Sequence, residues 1–224
     1  MATGNAIEMQ IIARIHTPFP EKFGVPRQSG LVDTPAQIVF EPAYRNPDAL
    51  RGIEGFSHLW LLWQFDRAER KTWSPTVRPP RLGGNQRMGV FATRSPFRPN
   101  PIALSCVKLL GVEDGVLCVS GADLVDGTPI LDIKPYLPYC DSHPDAVGGW
   151  TDGLESVSLQ VVFPADLFQL LPEACREGIM GVLQSDPRPR YQNDPDRVYG
   201  LTYGGVNVKF RVDGNRLFVL SIEP

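Results

Sequence analysis

Proline and glycine set the grain of this chain. With 22 Pro and 21 Gly among 224 residues, it turns too often for long helices and favours short strands. Apolar residues make up 42% of it, which is ordinary for a globular protein and enough for a core. The length fits one large domain, or one domain with a small appendage. Ile7 to Ile15 alternates and reads as a first strand, with Gln37 to Glu41 as a second. Pro47, heading Asp48-Ala49-Leu50-Arg51, suggests a short helix, because proline is tolerated in a first turn. Phe56 to Phe65 is short and nearly all apolar, so it reads as a strand buried on both faces. Further strands are predicted at Met88–Thr93, Ile102–Leu110, Val116–Gly121 and Pro129–Ile133, with a turn at Glu113-Asp114-Gly115. Many short strands with few helices predict a mainly β (α+β) chain. They argue for a closed or strongly coiled sheet, which removes exposed edges.

The texture changes after Pro135, where prolines, Gly148-Gly149 and small polar residues replace the strand pattern. Val157 to Phe163 reads as a late addition to the main sheet. Pro164 to Gln184 has helical spacing through Leu167, Leu170, Leu171, Ile179 and Leu183. Arg197 to Glu223 reads as a three-stranded meander turning at Gly204-Gly205 and Asp213-Gly214. The expected organisation is a barrel domain over 1–163 and a small C-terminal α+β subdomain over 164–224.

Charge is unevenly placed. From Arg70 to Val112 there is no acidic residue, while Arg70, Lys71, Arg78, Arg81, Arg87, Arg94, Arg98 and Lys108 supply eight cations. The whole chain is formally −3, so removing those eight leaves −11 on the remainder. A cationic stretch on an otherwise acidic protein suits a polyanion, above all a nucleic-acid backbone. The N-terminus shows no basic-then-apolar signal pattern, and no apolar run nears the roughly 20 residues that cross a bilayer. The expectation is a cytoplasmic protein without a membrane segment. Cys106, Cys118, Cys140 and Cys175 are far apart with no C-x-x-C pair, which reads as free buried thiols. His16, His58 and His143 are equally scattered, so no metal site is expected from them.

Four loop motifs combine turn residues with charge. They are Val25-Pro26-Arg27-Gln28, the Pro75–Arg87 segment, Thr93-Arg94-Ser95-Pro96-Phe97-Arg98-Pro99-Asn100-Pro101, and Asp123-Leu124-Val125-Asp126-Gly127-Thr128-Pro129 running on to Asp132-Ile133-Lys134-Pro135-Tyr136. Binding residues tend to sit on loops held by a rigid scaffold, and proline stiffening lowers the ordering cost on binding.

Residues 89–101, 123–129 and 132–136 resemble the TrmO family, also called YaeB- or TsaA-like, of S-adenosylmethionine-dependent tRNA adenine N6-methyltransferases. Val25-Pro26-Arg27-Gln28 and Phe56-Ser57-His58-Leu59-Trp60 match its earlier motifs in order, and Asp186-Pro187-Arg188-Pro189 matches one near the C-terminus of bacterial members. The resemblance is close over about residues 7–145 and looser beyond. It implies a small single-sheet β-barrel core and a homodimer with the cofactor near the subunit interface. The implied reaction is methylation of N6 on an adenosine that already carries a threonylcarbamoyl group, beside the anticodon of threonine tRNA. Carried over by motif, S-adenosylmethionine would meet Pro26, Arg27 and Gln28, Asp66 and Arg67, Arg94, Leu104, and the Asp126-Gly127-Thr128-Pro129 turn. Position 66 departs from the family pattern, where histidine is common.

The chemistry of these residue types agrees. A forked guanidinium at Arg27 or Arg94 suits the cofactor's carboxylate. Asp126, or carbonyls of the Gly127 turn, suit its cationic sulfur. His58 and Asp126 are the candidates for removing a proton from N6, and no catalytic residue is assigned. Arg78, Arg81, Arg98 and Arg188 are the expected RNA contacts, with Phe97 and Tyr136 able to stack on exposed bases. Each has a plainer reading. Asp126-Gly127 is a common tight turn, His58 suits a core position, Trp60 and Trp63 suit core or dimer contacts, and residues 186–189 would serve as a rigid linker. Two rivals stay open: a non-catalytic RNA-binding barrel, and a small-molecule methyltransferase or S-adenosylmethionine-using hydrolase on the same scaffold.

Overall fold

A computed structural model describes residues 7–67, 72–153, 158–189 and 194–224. In the N-terminal part the strands are β1 (Ala13–His16), β2 (Pro35–Phe40), β3 (His58–Gln64), β4 (Thr76–Val77), β5 (Met88–Gly89), β6 (Ile102–Glu113), β7 (Val116–Ser120) and β8 (Pro129–Pro135). A short helix α1 (Pro138–Asp141) follows, then β9 (Gln160–Val162), α2 (Ala165–Leu170), α3 (Glu173–Gln184), β10 (Tyr199–Tyr203), β11 (Val206–Asp213) and β12 (Arg216–Glu223).

Alternation builds the barrel wall. Along β3 the buried residues are Leu59, Leu61 and Trp63, while His58, Trp60, Leu62 and Gln64 are half-buried on the other face. The same period places Ile15, Ile38, Val107, Leu117, Val119 and Ile130 in one interior cluster. The sheet closes in the order β1-β2-β7-β6-β3-β8, every neighbouring pair antiparallel. Bulges at Leu109/Gly111 and Leu62/Trp63 bend the longer strands around the curve. The expected closed barrel is therefore what forms.

Several local expectations need correction. β3 is half-buried on its outward face, because that face is the barrel's exterior. The first strand covers only Ala13–His16. Met88–Thr93 is a two-residue strand followed by a 3-10 turn at Val90–Ala92. Its partner β4 runs straight into Arg78-Pro79-Pro80, and prolines have no N–H to extend a ladder. The short helix at Pro47–Leu50 is a 3-10 turn, capped by Asn46, whose side chain accepts from the Asp48 N–H. Cys140 is exposed, while the free thiols of Cys106, Cys118 and Cys175 are half-buried, with pKa values pushed up chiefly by burial.

Gln160–Val162 does not join the barrel; it lies parallel to β12, in the sheet order β10-β11-β12-β9. The helical stretch is broken into α2 and α3 at Leu171-Pro172, where Leu171 is extended as a residue before proline must be. α3 packs tightly on the meander, since a Cβ at Gly178 would fall 1.9 Å from Tyr203 Oη. This second core has a contribution from far upstream. Phe19 and Val32, both from the β1–β2 loop, are buried in it, with Phe23 and Val25 packed alongside. Full burial of such a side chain contributes about 1.5–3 kcal/mol. The β1–β2 loop thus seats the four-stranded sheet against the barrel. Among the described residues, no helix is long and apolar enough to cross a membrane.

Candidate active site

Two loops at the barrel rim run side by side. One spans residues 17–34 between β1 and β2, the other residues 121–128 between β7 and β8. The Asp126 N–H donates to Phe19 O at 2.8 Å, the Gly30 N–H to Gly121 O at 2.9 Å, and the Gly121 N–H to Thr34 O at 3.2 Å. The β7–β8 loop then turns at Gly127, whose φ of +78° suits glycine. This turn is anchored to β1, with the Gly127 N–H donating to Ile15 O and the buried Thr128 hydroxyl to Val125 O.

Around that turn the fold collects guanidinium groups. Arg67 donates to Asp126 O at 2.9 Å and to Pro20 O at 3.1 Å. Arg14 donates to Gly127 O at 3.1 Å. The Asp126 carboxylate accepts from the Thr17 N–H at 3.1 Å and lies 3.3 Å from His16 Nδ1. Asp66 is exposed beside Arg67 at the end of β3, and Pro129 is buried opposite Arg14.

The other half of the site centres on residues 26–29. Pro26 is buried, and the side-chain oxygen of Gln28 accepts from Arg94. Arg27 donates to two main-chain carbonyls of the C-terminal part, Asp186 O at 3.1 Å and Arg188 O at 3.0 Å. Ser29 Oγ accepts from the Cys106 N–H on β6 at 3.0 Å. Beneath sits Asp123, linked through Ser105 Oγ at 2.5 Å to the Trp63 indole, itself 2.9 Å from that hydroxyl. Burial pushes the Asp123 carboxyl above its ordinary pKa, opposed by the Ser105 hydrogen bond and the positive charge of Arg94. Leu104, next in sequence to Ser105, is 48% exposed on the outer face of β6 beside Leu62.

The sequence motifs thus meet at one rim, but not every expected contact does. Arg188 is 8% exposed, and its guanidinium grips Asp186 as a fork, at 2.9 and 3.1 Å. That inward geometry differs from the open one expected of an RNA contact. Arg98 is half-buried and closes its own loop through Thr93 O and Ser95 O. Arg78 and Arg87 are exposed on the loop that tips the β4–β5 ribbon, with Arg81 half-buried in the 3-10 turn Pro80–Leu82. Arg70 and Lys71 lie outside the described residues. Trp73 and Phe91, 50% and 73% exposed, stack at 6.4 Å near the ribbon's base.

Of the two proton-acceptor candidates, Asp126 lies on the rim. His58 stands on the outer face of β3, its Nδ1 2.9 Å from Ser57 Oγ and its ring edge-on to Tyr136. Tyr136 also packs on Trp60, whose indole donates to Asp141. Asp141 is held below the usual carboxylate range, first by the Leu137 N–H and then by that indole. Arg14, His16, Ser29 and Ser105 join the site without having been singled out, and Asp123 joins it from a motif quoted without a role for that residue. β1 meets β8 only when the barrel closes, so nothing near Arg14 in the sequence announces the Gly127 turn.

Residues 14–142 match the tRNA-methyltransferase O N-terminal domain, and residues 157–224 match the TrmO C-terminal domain. The tRNA (adenine(37)-N6)-methyltransferase of Escherichia coli K12 is 43% identical, over 98% of this chain and 99% of its own. The enzyme of the same name from Eikenella corrodens is 48% identical, over 75% of this chain and 97% of its own. The crystal structure of TrmO from Pseudomonas aeruginosa superposes with a TM-score of 0.80 at 33% identity, covering 98% of this chain and all of that one. The chain belongs to the TrmO family.

Proposed function

We infer that this chain is an S-adenosylmethionine-dependent methyltransferase acting on N6 of an adenine in tRNA. The observation that carries the reading is the meeting of Pro26–Gln28, Arg94, Arg67 and the Asp126–Pro129 turn along two paired loops, in a chain alike over its whole length to enzymes of that name. The finer reading is an adenosine already bearing a threonylcarbamoyl group, beside the anticodon of threonine tRNA. It includes a homodimer with the cofactor near the subunit interface and a cytoplasmic location.

The donor set fits the cofactor. Arg67 and Arg94 are oriented by neutral oxygens, a carbonyl and an amide, which direct the guanidinium without cancelling its charge. Arg94 and Arg27 would hold the carboxylate of the amino-acid moiety. Asp126 and the carbonyls of its turn would suit the positive end, and Leu104 would offer apolar surface to the ring. Bound S-adenosylmethionine supplies a methyl group on a positively charged sulfur. The rim residues would orient the adenine N6 toward the donor, and orientation of this kind can carry most of the acceleration. To become methylated, N6 would have to give up a proton. Asp126, steadied by Thr17 and His16, is the acceptor on the rim. Arg78 and Arg81 reach the phosphates.

Mass spectrometry of nucleosides from threonine tRNA, after incubation with the protein and methyl-labelled cofactor, tests reaction and substrate together. The expected result is one added methyl on the hypermodified adenosine. Cofactor binding without any gain on tRNA would favour a small-molecule acceptor, and no cofactor binding would favour a non-catalytic RNA binder. Light scattering that finds a monomer at assay concentration would contradict the interface-located site.

A further inference from the structure

The C-terminal part touches the cofactor loop through a small, unusually defined knuckle. After α3, the Asp186 N–H donates to Leu183 O, and Asp186 adopts a left-handed φ of +53°. This conformation is costly for a residue with a Cβ, though Asp tolerates it better than most. Pro187 then fixes the next φ. The turn is locked by its own side chains. Arg188 Nε and Nη2 grip the two Asp186 carboxylate oxygens, and the Arg188 N–H adds a third hydrogen bond at 3.3 Å. Both residues are nearly buried, at 9% and 8% exposure. The outcome is a pair of main-chain carbonyls, from residues 186 and 188, aimed at one nitrogen of Arg27.

The surroundings make this contact rigid. Phe19, Phe23, Val25 and Val32 flank Arg27 in sequence and belong to the C-terminal hydrophobic cluster. Gly24, at φ +90°, lies so close to the meander that a Cβ there would fall 2.0 Å from Leu201 Cδ1. The Gly204 N–H donates to Pro18 O at 2.8 Å. From Pro18 to Val32, then, the loop is moulded by the C-terminal sheet as much as by the barrel.

We propose that the Asp186–Arg188 fork is a positioning device for Arg27, through which the C-terminal part sets the affinity of the barrel for S-adenosylmethionine. The proposal rests on the reading of Arg27 as a cofactor contact. A buried charge pair that shapes a turn is a reason for Arg188 to be arginine without any RNA phosphate beside it. Truncating either partner leaves the other's charge buried and uncompensated, so the turn must rearrange and its carbonyls leave Arg27. Arg27 then has to be ordered at the moment of cofactor binding instead of during folding.

The test is a thermodynamic cycle on the full-length protein, using calorimetry with S-adenosylmethionine. The variants are Arg27→Ala, Asp186→Asn, Arg188→Met, and Arg27→Ala combined with Asp186→Asn. Asparagine keeps the left-handed turn accessible, so it serves even where Arg188→Met fails to fold. Asp186→Asn and Arg188→Met are expected to raise Kd about 2- to 10-fold, the range for newly immobilising one long side chain. The double variant should bind no more weakly than Arg27→Ala alone, because the fork acts only through Arg27. The slope of log tRNA affinity against log salt should be unchanged in Arg188→Met. Additive effects, an unchanged Kd in Asp186→Asn while Arg27→Ala weakens binding, or a slope reduced by about one in Arg188→Met would each overturn the device and leave the cofactor reading intact. An unchanged Kd in Arg27→Ala would remove both.

Discussion

Around the paired loops, Arg14, Arg67 and Arg94 each donate to an oxygen carried by one of those loops. On the β4–β5 ribbon, Arg78 and Arg87 stand exposed, and among the described residues no hydrogen bond ties down either guanidinium. The two groups carry the same charge and differ in freedom. A guanidinium ordered during folding has already lost its rotamer entropy, so it can select a small ligand of fixed shape. A mobile one contributes attraction that tolerates many phosphate positions and fades with salt. Under the proposed function, the same side chain would serve cofactor recognition in one region and polyanion capture in the other.

The strongest way to break that comparison is Arg94→Ala. A charge-assisted hydrogen bond is worth about 1.5–3 kcal/mol, so the Kd for S-adenosylmethionine should rise roughly 10- to 100-fold. Unchanged affinity in calorimetry would take Arg94 out of the pocket. Next in size is Gly24→Ala, which disturbs the loop's support and touches no charge. Its left-handed backbone and the contact with Leu201 predict a loss of about 1–3 kcal/mol, read from denaturant melts. A neutral result would mean that the loop yields easily, and the rigid half of the comparison would fall.

Smaller effects are expected on the ribbon. Arg78→Ala and Arg81→Ala should each weaken tRNA binding a few-fold and reduce the log–log salt slope by about one. S-adenosylmethionine affinity should stay put. Calorimetry alongside filter binding at several salt concentrations separates the two readouts. If these variants alter cofactor affinity and leave the salt slope alone, the division between the regions is wrong.

Much of this division was legible in the sequence, for identifiable reasons. Two-residue periodicity and turn residues mark β6, β7 and the meander, because those strands are joined by tight local turns such as Asp114-Gly115 and Gly214-Asn215. The acid-free stretch marks the ribbon, because charge clustering survives any fold. What the sequence hides is what closure brings together. Arg14 meets Gly127 across more than a hundred residues, and Ser29 reaches the Cys106 N–H only once the loop is laid on β6. Gln160–Val162 has the composition of a barrel strand, and only its parallel partner Arg216–Phe218 reveals where it belongs. Arg188 looks like a surface cation beside prolines until its burial is known.

The least perturbing test concerns Asp123, which lies under the ordered region and feels Arg94. Burial raises its pKa above the ordinary 3.8, so the folded protein holds that proton more tightly than the unfolded chain does. The stability gained from the proton is complete below the ordinary value and is lost as pH rises through the raised one. Asp123→Asn is neutral throughout and escapes this loss. Its melting temperature, whatever its constant offset from the parent, should therefore gain on the parent as pH rises from the ordinary value through the raised one. Parallel curves would mean that the carboxylate titrates alike in both states. The comparison between regions adds a sharper expectation. Arg94 opposes the rise in Asp123's pKa, so in an Arg94→Ala background the window should move to higher pH. Arg78→Ala should leave it where it is, since an exposed, solvated cation on the ribbon is screened from a carboxylate beneath the other loops.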